Sequence, residues 1–163
     1  NYQFTEHYIR PKNDGGDPLE KNLRIREWKT PENQTTIYFV RNEIVTVDGF
    51  EFKRSVYQHG KVALYSGDVD ECRKLLNDLG FQQLMEIWKK KASFWDLPKY
   101  GFSTVTEYVP KLGWSGELEF EGEDPRKAKA GIEKALSVLG IPKKAVDFRP
   151  LSAIYLEKCV ADI

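Results

Sequence analysis

The sequence predicts an α+β protein built on a closed or nearly closed eight-stranded antiparallel β-barrel, with helices packed outside it. Three observations lead to this prediction. Apolar and polar residues alternate with a period of two through most of the first two-thirds of the 163 residues. Two segments have helical periodicity with clear start and stop signals. The pair Asp48-Gly49 between two strand-like runs is typical of a hairpin turn.

The strand-like segments are separated by loops that contain Pro, Gly, Asn and Asp. Those before the first helix are Tyr2–Arg10, Asn22–Lys29, Thr35–Arg41, Ile44–Val47, Phe50–Tyr57 and Lys61–Tyr65. Those between the helices are Phe81–Phe94, Phe102–Val109 and Glu117–Gly122. The tail Ala145–Ile163 fits either a strand or a short helix.

Both helices begin at an aspartate and end at a glycine. The first starts after the cap Asp68 and ends before Gly80. Its apolar face would be formed by Val69, Cys72, Leu75 and Leu76. The second starts after the cap Asp124, with Pro125 as its first helical residue, and ends before Gly140.

Composition restricts the class of protein. The chain has 25 Lys plus Arg and 25 Asp plus Glu, so its net charge is zero. That balance argues against a nucleic-acid coat or a binder of anionic membranes, both of which need a basic excess. The aromatic content of 13% excludes disorder. With no run of about 18 apolar residues and no signal-like segment, we expect one cytoplasmic domain over residues 1–163.

The cysteines and histidines do not form a zinc motif. Cys72 and Cys159 lie far apart, and the chain has only two histidines, His7 and His59. A structural zinc site with four nitrogen or sulfur ligands would need all four residues. We therefore expect reduced thiols, and we expect His7 to pair with a neighbouring acid.

Charge is segregated along the sequence. Residues 107–124 hold six acids and one base, whereas Arg24, Arg26, Lys89 and Lys91 form cationic rows on other strands. A solvent-exposed sheet face normally mixes the two signs, because adjacent like charges repel. An acidic patch that faces a basic cradle would suit a metal-bound polyphosphate. A solvated sheet surface is the alternative interpretation.

With these patterns the chain resembles the CYTH domain, the fold of the triphosphate tunnel metalloenzymes. That superfamily includes class IV adenylyl cyclases, thiamine triphosphatases and inorganic tripolyphosphatases, and the resemblance runs over nearly the whole chain. Leu23-Arg24-Ile25-Arg26 matches the family's L-R-I-R strand, and Glu117-Leu118-Glu119 matches its E-x-E strand. The other matches are Gln3 to Tyr8 with Q-x-D-x-Y-F, Phe39 to Arg41 with T-L-K, Lys89 to Phe94 with K-x-R-x-x-Y, and Glu107 to Gly113 with D-x-V…L-G.

The sequence departs from the family pattern at several positions. Arg41 stands for Lys, Lys91 for Arg, Phe94 for Tyr, and Glu107 for Asp. The exchange at Lys91 removes a bidentate grip, because an ammonium group lacks the planar fork of a guanidinium. In the family an E-x-E-x-K strand precedes the segment that Gln3 matches, and no residues that match that strand precede Gln3 in this sequence.

The resemblance implies a charged tunnel that binds a triphosphate-containing small molecule together with Mg²⁺ or Mn²⁺. The phosphate-binding residues would be Arg24, Arg26, Arg41, Lys53, Lys89 and Lys91. The metal ligands would be Glu107, Glu117 and Glu119, and the catalytic residues Glu117, Glu119 and Lys91.

We expect hydrolysis of inorganic tripolyphosphate, thiamine triphosphate or a nucleoside triphosphate. The alternatives are a class IV-like adenylyl cyclase and a non-catalytic polyphosphate-binding module of the same fold. Without reference to the family, a barrel that carries another small anion is a further alternative. We expect no nucleic-acid or membrane partner, and many barrels of this kind form homodimers.

Overall fold

The computed structural model describes residues 2–12, 21–30 and 34–160, which form an antiparallel β-sheet with a few helices. The strands are β1 (Tyr2–Pro11), β2 (Lys21–Thr30), β3 (Thr35–Val47), β4 (Phe50–Ser55), β5 (Val62–Gly67), β6 (Phe81–Leu97), β7 (Phe102–Val109) and β8 (Gly113–Glu119). The α-helices are α1 (Val69–Asp78), α2 (Pro125–Leu139) and α3 (Leu151–Tyr155), and a π-helical turn over Leu156–Val160 follows α3. The predicted α+β class is confirmed. None of the helices in these described ranges is both long and apolar enough to cross a membrane.

The sheet curls until its two ends approach each other. Hydrogen-bonded neighbours run in the order β4-β3-β2-β1-β6-β7-β8, and β5 also pairs with β3. In a flat sheet, six strand spacings of about 4.8 Å would separate β4 from β8 by roughly 29 Å. Lys53 Nζ on β4 nevertheless lies 3.2 Å from Glu117 Oε1 on β8. The strands therefore enclose a nearly closed tunnel, and an ion pair spans the seam between β4 and β8.

Strand register defines the two faces of this sheet. Residues directly opposite each other on neighbouring strands point to the same face. Glu6 lies opposite Arg26, and Arg24 lies opposite Tyr38. We call the face that carries these residues the tunnel face. The alternate residues form the outer face, which carries His7, Ile25 and Ile37.

Helix α1 covers part of the outer face. Asp68 caps it as predicted, because its side chain accepts a 2.8 Å hydrogen bond from the backbone N–H of Asp70. Cys72 and Leu76 are buried against the outer-face residues Ile9, Ile25 and Ile37. Leu75, which was expected on the same apolar face, is instead 39% exposed.

Helix α3 packs across one end of the tunnel face. Its Leu151 joins a buried cluster with Tyr8, Met85, Ile87 and Val109. Tyr155 and Leu156 pack against the same cluster. That end of the tunnel face is therefore apolar, whereas the charged residues lie further along the strands.

Helix α2 follows β8 and lies beside the turn between β3 and β4. Asp124 caps it through hydrogen bonds from the backbone N–H groups of Arg126 and Lys127, as predicted. Lys129 Nζ lies 3.4 Å from Asp48 Oδ2 in that turn. A Cβ atom at Gly131 would come within 2.5 Å of the Phe120 ring, so glycine permits the close approach of the helix.

Some element boundaries differ from those that the sequence predicted. One continuous strand, β3, contains both Thr35–Arg41 and Ile44–Val47. Its first half pairs with β2 and β5, and its second half pairs with β4. The last strand begins earlier and ends earlier than Glu117–Gly122. The ambiguous tail contains helix α3 and the π-helical turn that follows it, whereas residues 146–150 are irregular and residues 161–163 lie outside the described ranges.

Candidate functional site

Glu6 lies at the centre of the charged interior. Its side chain is fully buried on the tunnel face of β1. Arg26 Nε donates a 2.9 Å hydrogen bond to Oε1. Arg24 Nη1 lies 3.4 Å and Lys89 Nζ 3.5 Å from Oε2, and the Tyr8 hydroxyl donates to the same oxygen at 3.1 Å. Three cations and one hydroxyl therefore converge on a single carboxylate.

Strand register brings these groups together. β1 pairs with β2 on one side and with β6 on the other. Glu6 therefore lies directly opposite Arg26 of β2. Lys89 of β6 lies opposite Phe4, which is two residues before Glu6 on the same face of β1. Alternation along β2 puts Arg24 on the same face as Arg26. The alternating cations of the L-R-I-R segment thus face the acid of β1.

The electrostatics of this cluster favour its ionised form. Burial opposes the charge on Glu6, but Arg24, Arg26 and Lys89 together outweigh burial and hold the pKa of Glu6 well below its usual range. Burial also opposes the charges on Arg24 and Lys89, and Glu6 is the main group that outweighs it and raises their pKa values. All these groups are therefore charged at neutral pH.

Glu107 is a second buried carboxylate on the tunnel face. It is 4% exposed, and its Oε2 lies 2.9 Å from Lys89 Nζ. This contact is an ion pair between a buried ammonium group and a buried carboxylate. Burial raises the pKa of Glu107 despite the opposing effect of Lys89. Glu107 is therefore a buried carboxylate whose counter-ion is Lys89.

Lys61 supplies a fourth cation. It lies just before β5, and its Nζ is 4.7 Å from the centre of the Tyr38 ring. The guanidinium carbon of Arg26 is 5.7 Å from the same ring. Burial, followed by the charges of Arg26 and Arg24, lowers the pKa of Lys61 to about 8. Lys61 is therefore less readily protonated than an ordinary lysine.

Aromatic rings surround part of this cationic cluster. The guanidinium carbon of Arg26 is 4.4 Å from the centre of the Phe4 ring and 5.3 Å from that of Trp28. Tyr2 stacks on Phe4, with their ring centres 5.7 Å apart. Cation–π contacts of this kind hold a guanidinium in place without neutralising its charge. The rings thus help to fix the position of Arg26 beside Glu6.

The tunnel face carries more positive than negative charge at its centre. The cations are Arg24, Arg26, Lys61 and Lys89, and the buried carboxylates are Glu6 and Glu107. Two positive charges are therefore uncompensated within this set, and the exposed Glu119, on the same face of β8 as Glu117, offsets one of them. In a cleft with low-dielectric walls, such an excess attracts anions more strongly than it would on an open surface.

Glu117 and Lys53 neutralise each other at the seam. Their 3.2 Å contact joins β8 to β4, and both side chains are about one-third exposed at 36% and 35%. The charge of Lys53 is the main cause of a lowered pKa of Glu117. Glu119 alternates with Glu117 along β8 and is exposed. Of the three expected metal ligands, only Glu107 is therefore deeply buried.

Arg41 lies away from the other expected phosphate ligands. Arg41 lies four positions after the outer-face residue Ile37 on β3, and residues an even number of positions apart on a strand share a face. Tyr38, by contrast, is on the tunnel face. Arg41 is therefore on the outer face, where its side chain is exposed. The structure does not bring it together with Arg24 and Arg26.

Lys91 also lies away from the tunnel face, because β6 contains a β-bulge. Phe4 lies opposite Lys89, but Tyr2 lies opposite Ala92, so three residues of β6 span two residues of β1. The expectation that Lys89 and Lys91 share a face was wrong, since the bulge interrupts the alternation. Lys89 is buried and Lys91 is exposed.

The described carboxylates do not form a metal cage on their own. In residues 2–12, 21–30 and 34–160, no three His, Cys, Asp or Glu side chains are grouped as metal ligands. Mg²⁺ in proteins often keeps several waters and binds only one or two carboxylates plus the phosphates of a substrate. Glu107 and Glu117, each paired with one lysine in the free protein, fit this smaller contribution. These two carboxylates alone do not form a site that would hold a metal ion without the phosphates of a substrate.

A separate charged cluster lies on the outer face. His7 is 1% exposed, its Nε2 is 3.3 Å from Glu27 Oε2, and its Nδ1 is 3.2 Å from Glu86 Oε2. This matches the expected pairing of His7 with an acid. The three residues border an open cavity of about 500 Å³, which is also lined by Gln3, Thr5, Lys29, Arg73 and Trp88. Because alternate residues of β1 point to opposite faces, this cavity is not part of the tunnel.

Four residues of the cluster were missed by the sequence interpretation, namely Glu6, Tyr8, Tyr38 and Lys61. A signal for Glu6 existed in the sequence, because it lies two residues from both Phe4 and Tyr8. The three residues therefore share one face of β1, the face that carries the arginines of the neighbouring L-R-I-R strand. Lys61 had no such signal. It lies outside the strands, and the pairing of β5 with β3 brings it beside Tyr38.

Comparison with known proteins adds evidence on the fold. No family model and no curated protein matches the chain. A conserved hypothetical protein from Pyrococcus furiosus is 24% identical, with a TM-score of 0.69 over 97% of this chain and 83% of that chain. The PH1819 protein from Pyrococcus horikoshii OT3 is 22% identical, with a TM-score of 0.73 over 96% of this chain and 85% of that chain.

A third solved structure carries a name that indicates an activity. It is a candidate adenylate cyclase from Vibrio parahaemolyticus, 12% identical, with a TM-score of 0.63 over 94% of this chain and 80% of that chain. At these identities the likeness concerns the fold and not the activity. The expected resemblance is therefore supported only at the level of architecture, which this chain shares with these solved structures.

Proposed function

We propose that this protein binds a triphosphate-containing small molecule in its tunnel and hydrolyses it with the help of a divalent metal. The observation that carries the proposal is the excess of cations over buried carboxylates on the tunnel face. A triphosphate supplies several anionic oxygens, which form charge-assisted hydrogen bonds with Arg and Lys. The likeness of fold to a candidate adenylate cyclase is in keeping with a triphosphate substrate.

In this proposal the cations bind and orient the phosphate chain. Arg24 and Arg26 offer planar guanidinium groups that suit bidentate contacts with phosphate, whereas Lys61 and Lys89 act as point charges. The contact of Arg24 with Glu6 Oε2 is longer than that of Arg26 with Oε1, at 3.4 Å against 2.9 Å. We therefore expect Arg24 to turn toward a phosphate more readily, while Arg26 keeps Glu6 neutralised.

Glu107 and Glu117 are the residues that would hold Mg²⁺ or Mn²⁺ brought in with the triphosphate. Such an ion neutralises charge on the transferred phosphoryl group. In hydrolysis a water oxygen forms a bond to the terminal phosphorus and the bond from that phosphorus to the bridging oxygen breaks. Orthophosphate and the shortened phosphate chain are released, and the proton lost by water passes to solvent.

A non-catalytic triphosphate-binding module is the second candidate function. It is favoured by the pairing of Glu117 with Lys53 and by the lack of three grouped metal ligands in the described part of the chain. The support for a class IV-like adenylyl cyclase comes from the names of structural neighbours. The three candidates share the binding step and differ in the products.

Calorimetric titration with inorganic tripolyphosphate tests the binding step. We expect Arg24→Ala to weaken binding by about 10–100-fold, because hydrogen bonds to charged groups contribute about 1.5–3 kcal/mol. Arg41→Ala is the matched control, since it removes the same side chain from the outer face, and its affinity should stay within about twofold of wild type. Equal affinities of wild type and Arg24→Ala would contradict the proposed site.

Product analysis tests the reaction. Tripolyphosphate, ATP and thiamine triphosphate are each incubated with Mg²⁺ or Mn²⁺, and orthophosphate and cyclic AMP are measured. Release of orthophosphate supports the proposed hydrolysis, and cyclic AMP from ATP supports the cyclase. Tight binding without either product supports the binding module.

A further inference from the structure

Lys61 differs from the other cations of the tunnel face in its partners. Arg24, Arg26 and Lys89 each contact Glu6. Lys61 makes no ion pair with any described carboxylate, including the expected metal ligands Glu107, Glu117 and Glu119. Its Nζ lies 4.7 Å from the centre of the Tyr38 ring. Lys61 is therefore a half-buried ammonium group without a counter-ion in the described structure.

The groups around Lys61 come from four strands. Arg24 and Arg26 of β2 oppose its charge, whereas Glu6 of β1 and Glu119 of β8 favour it more weakly, and Tyr38 of β3 lies beneath it. An arginine in a protein stays protonated, but a lysine that is crowded by like charges can release its proton. Among these three neighbouring cations, Lys61 is thus the one whose charge can change near physiological pH.

We infer that binding of a triphosphate in the tunnel is coupled to the uptake of a proton by Lys61. This inference rests on the proposed function. The bound polyanion would supply the counter-ion that Lys61 lacks and so favour its ammonium form. The lowered pKa of about 8 in the free protein is in keeping with this coupling.

The coupling gives triphosphate affinity a defined dependence on pH. As pH rises through 8, free protein loses the Lys61 proton, and binding then requires that the proton be restored. If Lys61 stays protonated in the complex, the affinity for triphosphate falls by about tenfold between pH 7 and pH 9. The reason is that binding at pH 9 takes up close to one proton per site. At pH 8 the uptake from this residue is about half a proton per site.

Calorimetry of inorganic tripolyphosphate binding, without metal, tests the inference in pairs of buffers that differ in ionisation enthalpy. Lys61→Arg keeps the positive charge but cannot titrate in this range. We expect the wild type to take up about half a proton more than Lys61→Arg at pH 8 and to lose about tenfold more affinity between pH 7 and pH 9. Ionisation of tripolyphosphate itself affects both proteins equally and cancels in the comparison.

Lys90→Arg is the matched control. Lys90 is exposed and lies over Trp88, 5.3 Å from its ring centre, so its exchange should leave the wild-type pH profile unchanged. Identical proton uptake by wild type and Lys61→Arg, with tripolyphosphate bound by both, would overturn the inference and leave the proposed function standing. Absence of binding by folded wild-type protein would overturn both.

Discussion

At the scale of single residues, Glu6 determines how the cations of the tunnel are arranged. Its carboxylate is the shared partner of Arg24, Arg26 and Lys89. A buried ion pair is a weak source of stability in itself, because desolvation of the charges offsets their attraction. Removal of one partner is different, since it leaves the remaining charges buried without compensation.

Glu6→Gln should therefore destabilise the protein strongly. We expect a loss of about 3–5 kcal/mol in the free energy of unfolding at pH 7, measured by urea denaturation. Glu121→Gln, at an exposed acid, is the control and should change stability by less than about 0.5 kcal/mol. A Glu6→Gln protein as stable as wild type would show that the cations do not depend on this carboxylate.

The same residue gives stability a dependence on pH. The pKa of Glu6 in the folded protein lies well below that in the unfolded chain, so its contribution is present above the unfolded pKa of about 4.3. That contribution is lost as pH falls through the lower, folded value. Wild type should therefore lose more stability than Glu6→Gln when denaturation is measured between about pH 5 and pH 2. Parallel pH profiles would contradict the lowered pKa.

At the scale of secondary-structure elements, the bulge in β6 selects which lysine faces the tunnel. Regular alternation would put Lys89 and Lys91 on one face. The bulge turns Lys91 to the outside, opposite Tyr108 on β7, while Ala92 lies opposite the buried Glu107. A β-bulge next to a charged site commonly redirects a side chain in this way.

This arrangement separates the effects of two nearby substitutions. Lys89→Met should weaken tripolyphosphate binding by about 10–100-fold, because it removes a buried cation worth about 1.5–3 kcal/mol in charged hydrogen bonds. Lys91→Met should leave the affinity within about twofold of wild type. Calorimetry measures both, and comparable losses in the two variants would mean that Lys91 also reaches the bound phosphate.

Helix α1 offers a second test at this scale, through two adjacent leucines. Leu76 is 4% exposed against the outer face, and Leu75 is 39% exposed. Leu76→Ala should lower the free energy of unfolding by about 2–4 kcal/mol through lost burial and a cavity. Leu75→Ala should cost less than about 1 kcal/mol. Similar losses would mean that α1 buries a different face.

At the scale of the whole molecule, the curl of the sheet creates the site. It brings β4 to β8 across the tunnel, while the pairing of β5 with β3 places Lys61 beside Tyr38 and the arginines of β2. Backbone pairing between neighbouring strands supplies the continuity of the sheet, and the Lys53–Glu117 contact only spans its seam. Both side chains of that pair are partly exposed, so solvent screens their attraction.

We therefore expect the seam ion pair to contribute little to stability. A double-mutant cycle with Lys53→Met and Glu117→Gln should give a coupling energy of about 0.2–1 kcal/mol, and it should fall as salt is raised. Urea denaturation of the four proteins measures it. A coupling above about 2 kcal/mol would mean that this pair holds the tunnel closed.

The sequence by itself determined the features that depend on neighbouring residues. Alternation along Leu23 to Arg26 predicted a strand with two cations on one face, and the structure places Arg24 and Arg26 there. The caps Asp68 and Asp124 marked the helix starts, because a cap acts within one turn. The α+β class followed from these local patterns.

Only the tertiary structure decided which charged residues share the tunnel. Arg41 and Lys91 are cations on strands, as Arg24 and Lys89 are, yet the faces to which they point depend on pairing register and on one bulge. Lys61 joins the cluster through contacts between distant segments. Register and curl arise from the packing of the whole sheet, and a one-residue shift reverses every face, so periodicity within a single strand could not determine the site.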